Sequence, residues 1–217
     1  MKIAITGPAA SGKGTIARGF ASEAKIGYVD LGLIFRLGAF GLSSGKIASL
    51  EELPDLIKNG VVVYAWTEGK ATVLWQGEDV TVQLLSQDIA YQTSVLASDP
   101  EQQEMLTRVA NLVLGMFGDV VCDGRNAGIT ILPDADYKFF VTARLEERAR
   151  RRHADILRRG EETTYEDILR EVEERDKRDA ERIANPLIVP DKAVVLETDN
   201  QTVEESIRFL WETITKP

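Results

Sequence analysis

Apolar positions along the chain follow two alternating rhythms. Short apolar runs at 2–6, 26–30, 119–123, 137–142 and 193–197 have the density of strands buried on both faces. Helical patterns lie between and after them, at 12–23, 33–42, 100–115, 145–159, 164–183 and 202–213. The boundaries carry their own chemistry. Asp99 is a good N-cap, with Pro100 at the first helical position. Gly160 stops the helix that begins at Leu145, and Asn185-Pro186 ends the long polar helix after Thr164. Five short strands alternating with helices predict a three-layer α/β/α domain around a five-stranded parallel sheet.

The alternation breaks once. The β-rich runs 61–66 and 71–76 flank Glu68-Gly69-Lys70 and predict a hairpin, with short helices at 50–58 and 88–97 on either side. One domain over 1–217 with an insertion at 56–97 is the expected organisation. No internal repeat or low-complexity linker is visible.

Composition narrows the classes. The apolar fraction of 44% is ordinary for a folded protein of 217 residues. No apolar run reaches the roughly eighteen residues of a transmembrane helix. Residues 1–6 lead into a polar loop without the long apolar stretch of a signal peptide. A single cysteine, Cys122, precludes an internal disulfide and fits a reducing, cytoplasmic setting. One Cys and one His, His153, cannot form a zinc cage. A net charge of −9 disfavours a general nucleic-acid binder. Yet 144–160 holds seven arginines and only three acids, which suits a small anionic ligand.

The strongest motif is Gly7-Pro8-Ala9-Ala10-Ser11-Gly12-Lys13-Gly14-Thr15. A strand precedes it and a helix follows, as a P-loop requires. Glycines let several backbone N–H groups turn toward one phosphate chain, and the helix start adds its positive dipole end. Gly7, Ala10, Ser11, Gly12, Lys13, Gly14 and Thr15 are therefore the expected ATP-binding set. Lys13 is expected on the β- and γ-phosphates, and Thr15 on Mg²⁺. Asp123 ends an apolar strand, where a carboxylate can orient Mg²⁺-bound water; a turn or N-cap aspartate is the structural alternative. Asn-Lys-x-Asp, the base-reading motif of G-proteins, is absent.

Arginine carries the remaining chemistry. Arg125 and Asn126 follow the 119–123 strand, at the carboxyl end where open α/β sheets bind ligands. Arg175, Arg178, Asp179 and Arg182 share one helical face, although a solvated charged face gives the same spacing. Arg144, Arg148, Arg151 and Arg152 begin another helix and predict an arginine lid at 144–160. Many arginines and almost no general base fit transfer to a phosphate, which is already mostly anionic at neutral pH.

These segments together resemble the bacterial cytidylate kinases, of the nucleoside monophosphate kinase family, over nearly the whole chain. The matching stretches are 7–15, Tyr-Val-Asp-Leu-Gly-Leu-Ile-Phe-Arg at 28–36, Gly-Glu-Asp-Val-Thr at 77–81 and Asp-Gly-Arg-Asn-Ala-Gly at 123–128. They continue with 133–143, 146–152 and Arg-Asp-Lys-Arg-Asp-Ala-Glu-Arg at 175–182. The resemblance implies ATP-dependent phosphorylation of CMP or dCMP with Mg²⁺, by a monomer acting on small nucleotides. It implies an acceptor-binding insertion and a mobile lid. It places the acceptor phosphate on Arg36, Arg125 and Arg182, the ribose on Arg175 and Asp179, and part of the base on Ser94. Asp30 and Phe35 would also meet the acceptor. Lys13, Arg125, Arg148, Arg152 and Arg178 would neutralise the transferring group.

The departures from the family pattern are Leu31 for a hydroxyl residue, Phe35 for tyrosine, Asn126 for aspartate, Gln103 for an arginine and Ala9 for serine. Four of the five concern the base pocket, so UMP or a modified pyrimidine monophosphate stays open as acceptor. A non-catalytic P-loop binding protein is the remaining alternative.

Overall fold

The computed structural model describes residues 1–158, 160–181 and 185–215. Its strands are β1 (Lys2–Thr6), β2 (Gly27–Asp30), β3 (Val62–Thr67), β4 (Lys70–Trp75), β5 (Glu78–Asp79), β6 (Val120–Gly124), β7 (Tyr137–Thr142) and β8 (Val194–Glu197). Its helices are α1 (Lys13–Ala24), α2 (Leu31–Ser43), α3 (Leu53–Lys58), α4 (Thr81–Leu84), α5 (Gln87–Leu96), α6 (Pro100–Leu114), α7 (Leu145–Arg158), α8 (Tyr165–Glu181) and α9 (Val203–Thr215).

The five expected core strands form one parallel sheet in the order β2-β6-β1-β7-β8. Helices α1 and α9 pack on each other in one layer; α2, α3 and α6 gather in another. Between them lies a core whose largest fully buried side chains include Ile3, Ile5, Phe20, Tyr28, Ile34, Leu37, Leu106 and Phe139. Cys122 is buried within this core.

The hairpin forms as expected, with Thr67 opposite Lys70. Glu68 (φ 53°) and Gly69 (φ 75°) are both left-handed, the conformation a two-residue turn needs to match strand twist. The 50–58 segment is not one helix. A 3₁₀ turn, Leu50–Glu52, precedes α3, because Pro54 lacks the N–H a continuous helix would use. Three elements had no legible pattern: β5, α4 and a π-helical turn at Ala127–Ile131. Each is shorter than the window over which periodicity shows.

Helices α7 and α8 form a separate antiparallel unit with its own small apolar cluster, Ala149, Ile156, Ile168 and Val172. Burying a large aliphatic side chain contributes roughly 1.5–3 kcal/mol. Ordering the backbone costs about 1–2 kcal/mol per residue. So small a cluster cannot hold two helices by itself. Ion pairs Arg148–Asp176 (2.5 Å) and Arg152–Glu171 (2.6 Å) complete it, and hydrogen bonds from Arg148 to the Ala9 carbonyl and from Arg151 to Thr198 tie it to the loops beside the sheet. Such a unit opens at lower cost than the sheet.

Candidate active site

The register of the sheet assembles the site. Asp30 lies opposite Asp123 and Thr6 opposite Gly124, so β2, β6 and β1 end at one level. The P-loop, α2 and Arg125 leave from those three ends, which is where a parallel sheet offers a ligand crevice. Thr6 Oγ1 accepts from the Gly128 N–H (3.1 Å) and ties the π-helical turn to β1. The Asp30 carboxylate caps α2 by accepting from the Leu33 N–H (3.1 Å). Asp99 caps α6 through the N–H groups of Glu101 and Gln102 (2.9 and 3.0 Å), a cap worth about 1 kcal/mol. That cap sets the first turn of α6, which carries Gln103.

Gly12 precedes α1 with φ 88°, which glycine adopts without strain. Lys13 Nζ donates to the Pro8 carbonyl (3.2 Å), arching over the loop. Loss of water and the Arg125 guanidinium lower the Lys13 ammonium to about 8; Asp123 pulls the other way and Arg175 adds to the lowering. Burial and the neighbouring Asp30 push the Asp123 carboxyl up to about 7, opposed by Lys13, the Tyr28 hydrogen bond and Arg18. Tyr28 Oη donates to Asp123 Oδ1 (2.6 Å).

Two cavities meet on this loop. The first, about 400 Å³, lies among the P-loop, α2, α5, α6 and the end of β6. Lys13, Asp30, Phe35, Arg36, Ser94, Gln103, Asp123, Arg125, Asn126, Arg152 and Arg175 all line it. The second, about 610 Å³, lies on the other side of the loop, lined by Ala10, Gly12, Lys13, Gly14 and Thr15, by α7, and by the β8–α9 turn.

Five arginines and Lys13 line the first cavity, against the carboxylates of Asp30, Asp123 and Asp155. The Arg175 guanidinium is held well below its ordinary value, first by Arg125 and then by burial. Arg125 Nε pairs with Asp179, while its NH2 is buried without a partner among the described residues. Like charges so confined favour a bound anion. Two further lining residues, Gln103 and Asn126, are neutral amides. Gln103 is 3% exposed and Asn126 6% exposed; among the described residues Gln103 Oε1 and Asn126 Nδ2 have no hydrogen-bond partner. Leu31 is buried against Gly124, so closely that a methyl group there would meet its Cδ1 at 2.7 Å.

The remaining sequence candidates are distributed differently. Gly7 and Ser11 shape the loop from below; the Ser11 carbonyl accepts from Thr198 Oγ1 (3.0 Å). Arg148 is buried in the first turn of α7, donating to the Ala143 carbonyl (2.9 Å) and pairing with Asp176. Arg178 lies on an open groove among α5, α7 and α8, outside the first cavity. Asp179 is buried beneath Arg125. Arg182 lies outside the described residues.

Two lining residues, Arg18 and Thr198, escaped the sequence reading. Arg18 borders both cavities, one helical turn beyond Gly14. Arg151 donates to Thr198 Oγ1 (2.9 Å) and to its carbonyl (2.7 Å), joining α7 to the end of β8. The rule that ligands sit beyond strand carboxyl ends would have found Thr198. Helical spacing from the P-loop would have found Arg18.

Mg²⁺ favours hard oxygen donors and keeps much of its water, so few protein ligands suffice. The Thr15 hydroxyl, exposed in the second cavity, and the Asp123 carboxylate, lining the first, fit that chemistry. Among the described residues no helix is long and apolar enough to cross a membrane.

Comparison with known proteins agrees with this geometry. The family model described as cytidylate kinase matches residues 3–216. A cytidylate kinase of Caldanaerobacter subterraneus is 36% identical over 100% of this chain and 95% of its own length. One from Bacillus cereus is 35% identical over 96% and 93%. Among solved structures, a shikimate kinase from Bacteroides thetaiotaomicron shares the fold, at TM-score 0.51 and 13% identity over 100% of this chain and 99% of that one. TT1252 from Thermus thermophilus does likewise, at TM-score 0.50 and 20% identity over 99% and 95%. A P-loop at the sheet's carboxyl edge, a cationic cavity beside it and full-length similarity to whole kinases place this chain in the cytidylate kinase family of nucleoside monophosphate kinases.

Proposed function

We propose that this chain transfers the γ-phosphoryl group of ATP in line to CMP or dCMP, with Mg²⁺, as a monomer in the cytoplasm. The two cavities carry this reading: they share Ala10, Lys13, Gly14, Arg18 and Asp155. A triphosphate lying along the P-loop from the larger cavity ends at Lys13. A monophosphate in the smaller cavity brings its phosphate to the same point. Transfer to a phosphate needs no strong base, so positioning and charge neutralisation do the work.

Each residue then has a task. Lys13 neutralises the β- and γ-phosphates. Arg36 and Arg125, with Arg182, hold the acceptor phosphate; Arg175 and Asp179 hold the ribose. Phe35, Ser94, Gln103 and Asn126 enclose the base, and Asp30 borders the acceptor. Arg148 and Arg152, with Arg178, act from the lid at 144–160, Arg148 by anchoring its hinge. The α5 end of the 56–97 insertion supplies Ser94, which supports its reading as the acceptor subdomain. Mg²⁺, held by Thr15 and Asp123, would act as a Lewis acid on the phosphate oxygens.

The neutral base end favours a second acceptor as well. An amide presents either a donor or an acceptor, so Gln103 and Asn126 can meet cytosine or uracil by turning. CMP is expected to remain preferred, with UMP rejected weakly. A coupled ADP-release assay across CMP, dCMP, UMP, dUMP, AMP and GMP tests both statements. No ATP-dependent ADP release with any of them would leave a P-loop binding protein; a purine as best acceptor would overturn the pyrimidine assignment.

A further inference from the structure

β2 is an edge strand of the parallel sheet, so its outer N–H and C=O groups face no neighbouring strand. Side chains of the inserted hairpin take that neighbour's place. Trp66 Nε1 donates to the Ile26 carbonyl (3.1 Å). Tyr64 Oη donates to the Tyr28 carbonyl (3.1 Å) and accepts from the Asp30 N–H (3.0 Å). Tyr64 and Trp66 stand two apart on β3 and share a face, which matches the two-residue spacing of Ile26, Tyr28 and Asp30. The Trp66 ring also packs on the Tyr28 ring, centroids 4.9 Å apart.

Tyr28 reaches the other way, into the sheet. Its side chain is fully buried, and its hydroxyl donates to Asp123 Oδ1 at 2.6 Å. A phenol has one proton, so this donation fixes both the hydroxyl and the carboxylate oxygen that receives it. The other oxygen, Oδ2, faces the P-loop: a methyl group on Gly14 would lie 3.4 Å from it. A two-tyrosine chain thus runs from the inserted sheet, through the backbone of β2, to the carboxylate at the phosphate loop. Nothing in the proposed transfer uses either phenol.

We infer that Tyr28 is a positioning residue for Asp123, orienting Oδ2 toward the metal–phosphate site, and that Tyr64 holds Tyr28 and Asp30 in place for it. The inserted sheet is then part of the catalytic scaffold and stays with the core. This rests on the reading of Asp123 as a magnesium carboxylate. A hydrogen-bonded partner behind a metal ligand typically governs about 10–100-fold of metal affinity.

The test uses Mn²⁺ as probe on the ATP complex of the full chain, with affinity read by electron paramagnetic resonance and Tm recorded alongside. Tyr28→Phe removes one oxygen and keeps the ring. It is expected to weaken Mn²⁺ about tenfold. Tyr64→Phe acts one step further back and is expected to weaken it by a smaller factor, about threefold. In an Asp123→Asn background neither change should weaken Mn²⁺ further, since the group they position is gone. A merely structural role would lower Tm in both backgrounds and leave Mn²⁺ affinity alone. Wild-type Mn²⁺ affinity in Tyr28→Phe, or losses that add to Asp123→Asn, would overturn the inference. Unchanged affinity in Asp123→Asn alone would instead sink the metal reading of Asp123.

Discussion

Replacing Gly7 by alanine should damage phosphate binding through a strand that never touches phosphate. Thr6 pairs with Phe140, so Gly7 comes next, beside Val141 of β7. A Cβ on Gly7 would penetrate the Val141 carbonyl oxygen and lie 3.1 Å from its carbon and 3.2 Å from Ser11 Oγ. Val141 is fully buried and is paired on its far side with Leu196 of β8, so it cannot retreat. The loop must yield instead, by about 1 Å to restore ordinary contact distances. The Pro8 carbonyl, which holds Lys13 Nζ at 3.2 Å, would move with it. A displacement of about 1 Å in a positioned group costs on the order of 100-fold in rate, or roughly 2.7 kcal/mol. Overpacking should also lower stability by about 1–3 kcal/mol. Gly118→Ala is the control, because its added methyl meets nothing within 4 Å. The assay is kcat/KM for ATP at saturating CMP, with denaturant unfolding of all three proteins. If folded Gly7→Ala matches the control in both ATP affinity and turnover, the steric argument is wrong.

Three further outcomes are expected. Lys13→Ala should cut turnover about 100-fold or more, a loss of roughly 3 kcal/mol of transition-state stabilisation; wild-type turnover would remove the P-loop from the mechanism. Asn126→Asp with Gln103→Arg should sharpen CMP over UMP more than either change alone, because each single variant buries an unpartnered charge. The readout is kcat/KM for both nucleotides in all four proteins, and a parent that already rejects UMP as strongly as the double variant refutes it. Labels at Val95→Cys on α5 and Leu157→Cys on α7 should approach each other with a bisubstrate analogue, while Lys70→Cys on the hairpin keeps its distance from Glu212→Cys on α9. Buried Cys122 should not compete for label. An unchanged α5–α7 distance counts against lid closure, and a moving hairpin against its anchorage by Tyr64 and Trp66.

Local patterns already determine much of this protein. Strand density, helix spacing and the Asp99–Pro100 and Gly160 signals are properties of neighbouring residues, and they locate the sheet, the helix α7 and the hairpin turn. The P-loop is legible for the same reason: its glycines, Lys13 and Thr15 act within nine consecutive residues. Its cationic surroundings are partly legible, because Arg125 follows a strand end and Arg175 and Asp179 share a helical turn. Which charges face one another is not. Arg148 and Arg152 look equivalent in sequence. Only the packing of α7 on α8 and on the loop buries Arg148 against Asp176 and leaves Arg152 on the cavity. The hairpin likewise announces its turn but not its place. Its docking on β2 depends on that strand lying at the sheet edge, and strand order is set by pairings between residues far apart in the chain. The Tyr28–Asp123 bond, spanning 95 positions, has the same origin. Such contacts leave no periodic trace, because nothing in the neighbourhood of either partner names the other.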